Sequence, residues 1–118
     1  MRWVTAAAAA EAAATSLILL LSPALFGRLI LGAELSEPGE ALGRLTGIAL
    51  LSFALACWPK PATKPNLAML VYNLLAALYL GYLGIDGTSV GMLLWPAVAL
   101  HLVLTALLAA ARLAAKRA

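Results

Sequence analysis

Charge is what this sequence has least of. Only 11% of its 118 residues are charged, five acidic and eight basic, where an ordinary globular domain carries about a quarter. With 64% hydrophobic residues and a mean hydropathy of +1.00, the chain has too little polar surface to coat a water-soluble fold. It reads as a one-domain integral membrane protein. Cysteine occurs once, at Cys57, which excludes an intrachain disulfide, a CxxC redox pair and a thiolate-rich metal site. Histidine also occurs once, at His101. A single imidazole cannot supply both axial ligands of a haem from one chain, and Glu11 with His101 is too small a set for zinc. No metal and no resident cofactor is therefore expected, a quinone being the one group the polar residues below would suit. The net charge of +3 does not point to nucleic acid, because the basic residues lie beside apolar runs, where they act as topology signals.

What is present is four apolar runs, about residues 3–21, 39–58, 66–85 and 90–112. Each is long enough to cross about 30 Å of hydrocarbon at 1.5 Å per residue. Breakers mark the joints: Ser22 and Pro23, then Ser36 to Gly39, "PKPATKP" from Pro59 to Pro65, and "DGTS" from Asp86 to Ser89. The expected fold is all-α, an integral membrane four-helix bundle with a short interfacial helix after the first span. Short joints predict that spans two and three, and spans three and four, are antiparallel neighbours. Residues 23–32 form the interfacial segment, with Ser22 as N-cap, Pro23 at the first helical position, and Leu25, Phe26, Leu29 and Ile30 on one side. The alternative is a first helix that continues through a kink at Pro23.

Arg2, Lys60, Lys64, Arg112, Lys116 and Arg117 all fall on one side of such a bundle, while Arg28, Glu34, Glu37, Glu40 and Asp86 fall on the other. The positive-inside bias then places both termini in the cytoplasm. A secretory signal peptide is the competing reading of the N-terminus, opposed by Glu11 inside the apolar run and by the lack of a small-x-small cleavage site.

The residues that cost most to bury are Glu11, Arg44, Asn73 and His101. From the expected span ends, Glu11, Asn73 and His101 sit at similar heights, about 12–17 Å from the inner face, with Ser52 close to that layer. Glu11 and His101 could share a proton there, with Asn73 and Ser52 completing the hydrogen bonds. Polar glue between helices is the competing role. Pro96 lies inside the fourth run and predicts a kink above His101 through loss of a donor to the Met92 carbonyl. Tyr72 and Tyr79, seven residues apart, would line one interior face. Gly39, Gly43 and Gly47 form a stripe that lets two helix backbones approach, either inside the bundle or across a homodimer seam. Arg44 lies one to two turns below the outer surface, with Glu40 four residues earlier as its partner in the favourable order, an interfacial anchor and not a buried catalytic charge.

A first-span end followed by "LSPALFGRLILG", an acidic loop and "LGRLTGIALLSFALACW" resembles the DoxX-like superfamily of small four-helix bacterial membrane proteins. Pro23 matches its proline-led interfacial segment, and Arg44 with Gly47 its Arg-x-x-Gly near the start of helix two. Members include a subunit associated with thiosulfate and quinone oxidoreduction, so the resemblance implies an architecture more than a reaction. The expected role is non-enzymatic: a structural or accessory module that packs in the lipid bilayer with partner membrane proteins or with itself. A quinone- or lipid-interacting redox subunit is the alternative, and a proton-coupled small-solute carrier a third.

Overall fold

The computed structural model describes residues 2–60 and 65–117; Lys64 and the middle of the "PKPATKP" joint lie outside the described residues. Among those described there is no strand. The elements are α1 (Arg2–Leu21), α2 (Pro23–Phe26), a π-helical turn (Gly27–Leu31), α3 (Glu37–Ala56), α4 (Leu67–Asp86) and α5 (Leu94–Arg117). Four of them, α1, α3, α4 and α5, are long and apolar enough to cross a membrane.

The ends follow from local chemistry. Ser36 is extended, and its Oγ accepts from the Gly39 N–H at 3.1 Å, with Glu37 and Glu40 in the first turn of α3. This is the serine cap and acidic start that a helix N-terminus favours. Asn66 caps α4 in the same way, its Oδ1 accepting from the Ala68 N–H at 2.8 Å, and Gly87 closes that helix at φ +82°, a left-handed conformation that glycine adopts without penalty. α1 stops where Ser22 leaves helical geometry at φ −152° ahead of Pro23, so the first helix does not run on through a kink. Ser22 makes no side-chain cap bond, contrary to its expected role.

Residues 23–32 are not one regular helix. One α-turn widens into the π-turn, whose end is closed by Gly32 at φ +68°. The last carbonyls of a helix lack intrahelical partners, and here those of Leu29 and Ile30 accept from the N–H groups of Leu93, at 2.8 Å, and Gly91, at 2.9 Å. Residues 90–93 are thereby held out of the fourth helix, which begins at Leu94 and not near residue 90. Pro96 consequently sits in the first turn of α5, where its missing donor breaks no helical bond. The kink expected from a proline deep inside the helix does not arise.

Of the two neighbour pairs that the short joints suggest, α4 with α5 forms and α3 with α4 does not make a backbone contact. α1 packs antiparallel along α3, and α4 along α5, whereas the α3 and α4 backbones do not approach each other and these helices meet through side chains such as Phe53 and Tyr72. The physical reason lies in α3. A Cβ added to Gly47 would come within 2.9 Å of the Ser16 carbonyl oxygen, and one on Gly43 within 3.0 Å of Pro23. Those glycines bring the α3 backbone against the alanine-rich α1. The two helix pairs meet over Val4, Ala8, Ala9, Met69, Leu104 and Leu108, with Cys57 in the same cluster. With the α3 and α4 backbones apart, the chain is flattened, its principal extents being 48 × 28 × 16 Å.

Candidate functional site

Glu11, Asn73 and His101 come from α1, α4 and α5 and meet between the two helix pairs. Asn73 is fully buried. Its Nδ2 donates to the Met69 carbonyl four residues earlier at 2.9 Å, and its Oδ1 lies 2.8 Å from His101 Nδ1. An amide oxygen only accepts, so His101 Nδ1 carries the hydrogen and donates. That assignment turns Nε2 toward Glu11, whose Oε1 is 3.8 Å away. The same Oε1 accepts from Thr15 Oγ1 at 2.9 Å. The second carboxyl oxygen, Oε2, is buried with no hydrogen-bond partner.

The imidazole is thus fixed in tautomer by Asn73 and faces a carboxyl group at a distance longer than a hydrogen bond. With the hydrogen on Nδ1, a neutral ring turns the lone pair of Nε2 toward the Glu11 carboxyl group. Tyr72 closes the site on one side: its ring stands edge-on to His101 with centroids 5.8 Å apart, and tilted against Phe53 at 5.5 Å. Among the described residues no three His, Cys, Asp or Glu side chains gather where they could hold a metal ion.

Ser52 does not join this layer. It is exposed, and its Oγ donates to the Ile48 carbonyl within its own helix at 3.0 Å. Ser52 is two residues from both Leu50 and Ala54, which face the core, so a 100° step per residue turns it outward. Ser52→Ala is therefore expected to change stability by no more than about 0.5 kcal/mol in denaturant unfolding. Tyr79, at 62% exposed, packs on Tyr82 and lines no interior face. Arg44 is exposed, with its Nη1 3.9 Å from Glu40 Oε2. Gly43 and Gly47 face α1, whereas Gly39 sits at the start of α3 beside Ser36. Thr15 is the site residue that the sequence reading passed over. Its signal was the i,i+4 spacing from Glu11, at which helical side chains meet.

Fold and site together define a small all-helical protein with four helices of membrane-crossing length and one acid–imidazole pair between them. No protein-family model, curated protein or solved structure matches the chain.

Proposed function

We propose that this chain is a non-enzymatic accessory module of a bacterial-type inner membrane, with both termini cytoplasmic, packing with partner membrane proteins or with a second copy. The observation that carries the reading is the Glu11–His101–Asn73 cluster. His101 hydrogen-bonds Asn73 across α4 and α5 and faces Glu11 of α1, and so the cluster serves as a seam between the two helix pairs. Interhelical polar contacts of this kind hold bundles together where the hydrophobic effect cannot. The orientation draws support from Arg2, Lys60, Arg112, Lys116 and Arg117, which lie at or near one set of helix ends, while Glu34, Glu37 and Asp86 lie at the other. The DoxX-like resemblance of the first half agrees with this architecture.

Mass spectrometry of the gently solubilised native complex tests the proposal. A co-purified membrane protein or a second copy is the expected result, and recovery of an empty monomer would count against it.

A quinone- or lipid-interacting redox subunit is the second reading. It is favoured by the unpartnered Glu11 Oε2 and by an apolar groove whose wall includes Tyr72. Under it, the purified protein carries a quinone visible in its absorption spectrum, and His101→Ala loses that signal.

A further inference from the structure

The two ends of the bundle treat their basic side chains differently. At one end Arg28 Nη1 lies 3.8 Å from Glu34 Oε1, and Arg44 Nη1 lies 3.9 Å from Glu40 Oε2. At the other end Arg2, Arg112, Lys116 and Arg117 form no ion pair among the described residues. The sequence offers them no acidic side chain, because Glu34, Glu37, Glu40 and Asp86 belong to the opposite end, while Glu11 stands nine residues beyond Arg2 and faces His101. The fold leaves this positive charge uncompensated.

These cations come from separate segments that the core draws together. Val4 of α1, Met69 of α4 and Leu108 of α5 share one buried cluster with Cys57, which ends α3. Arg2 precedes Val4 by two residues, Lys60 follows Cys57 by three and Arg112 follows Leu108 by four, so each lies at most four residues beyond the cluster. Lys116 and Arg117 occupy the last turn of α5. Arg112 is the most constrained of the set, being half-buried with its Nη1 donating to the carbonyl of Pro65 in the joint between α3 and α4. That bond uses one of the five N–H donors of a guanidinium.

Their neighbours are apolar and exposed. Trp3 adjoins Arg2, Trp58 lies two residues before Lys60 and Leu113 adjoins Arg112, each of the three more than half exposed. Tryptophan at the ends of membrane helices marks the level of the head groups. The partner that fits this border carries negative charge and an apolar body in one molecule. An acidic soluble protein would match the charge alone.

Resting on the membrane placement proposed above, we infer that this end of the bundle is a docking surface for anionic phospholipid. Phosphate oxygens pair with Arg112, Lys116, Arg117 and Arg2, and the acyl chains lie against Trp3, Trp58 and Leu113. Each basic side chain close to an anionic leaflet favours the charged lipid about 5-fold.

The test uses the full chain in nanodiscs of equal phosphatidylglycerol and phosphatidylcholine, with the retained lipids identified by native mass spectrometry. Phosphatidylglycerol is expected to exceed phosphatidylcholine by at least about 5-fold. Lys116→Gln combined with Arg117→Gln should bring that ratio down toward parity. Both side chains are exposed on the last turn of α5, so this result is independent of Arg112→Gln, which should also lower the ratio but disturbs the Pro65 contact. Arg28→Gln combined with Arg44→Gln, at the paired cations, should leave it unchanged. Equal retention of the two lipids, a preference that survives Lys116→Gln with Arg117→Gln, or an equal fall for Arg28→Gln with Arg44→Gln would each overturn the inference. So would release of the retained lipid by inorganic phosphate, which would make the ligand a free anion. The nanodisc holds no partner protein and has two identical leaflets, so equal retention would leave the accessory reading and its orientation standing. Failure of the chain to enter the nanodisc would remove both.

Discussion

Gly91→Val is expected to destabilise the fold by about 3 kcal/mol, at the upper end of what overpacking costs. Any side chain at this position meets backbone. A Cβ on Gly91 would collide with the carbonyl of Leu29 and lie 2.8 Å from that of Arg28. Side chains move aside at small cost, but these carbonyls are held in the π-turn. Relief requires the Gly91 N–H to leave Ile30 O and the Leu93 N–H to leave Leu29 O, and each such bond contributes about 0.5–1.5 kcal/mol net. The consequence reaches beyond the loop, because this docking sets where α5 begins and so the height of His101. Gly81→Ala is the internal control. Its nearest neighbour would be Val98 at 4.0 Å, ordinary contact, and removing a helical glycine is worth up to about 1 kcal/mol. Thermal unfolding in detergent, followed by circular dichroism, separates the two. Equal midpoints for Gly91→Val and Gly81→Ala would show that the π-turn contact does not hold the fold.

The second large effect is expected in the polar seam. His101→Leu removes the donor to Asn73 Oδ1 and the imidazole that faces Glu11 Oε1 from another helix. Two magnitudes compete. Polar contacts between membrane helices average about 0.6 kcal/mol and reach about 1.7, because the unfolded chain in lipid also finds partners. Breaking a buried ion pair in a water-soluble protein costs about 3–5 kcal/mol. Asn73 is completely buried and its amide is held at both ends, so it cannot turn to another partner. We expect about 2 kcal/mol for His101→Leu, between the two limits. A cycle with Glu11→Gln isolates the pair. Residues in direct contact couple by about 0.5–3 kcal/mol, so a coupling below about 0.3 kcal/mol would mean that the carboxyl group and the imidazole do not interact.

Several features of this site were legible along the chain. Height is one, because depth on a helix is a running sum of about 1.5 Å per residue, which put Glu11, Asn73 and His101 in one layer before any packing was known. The Glu40–Arg44 contact is another, being local to one turn. The helical ranges of α1, α3 and α4 also fall within two residues of those read from the serine, proline and glycine breakers at the joints. Azimuth was less legible. Ser52 has the right height and the wrong face, and Tyr79 shares a face with Tyr72 but no covering helix.

What the sequence by itself determined is therefore the number of long helices, the ends of α1, α3 and α4 to within two residues, and the position of each polar group along its own helix, all consequences of local backbone chemistry and apolar length. The tertiary structure alone decided which helices are neighbours and how each is rotated. α3 lies on α1 because Gly43 and Gly47 admit a backbone there. α5 starts late because two of its preceding N–H groups pair with carbonyls some sixty residues away in the chain. The same choices leave the α3 and α4 backbones apart, with an apolar groove between them. Contacts between distant segments depend on which surfaces fit most closely, and no spacing within one helix encodes that.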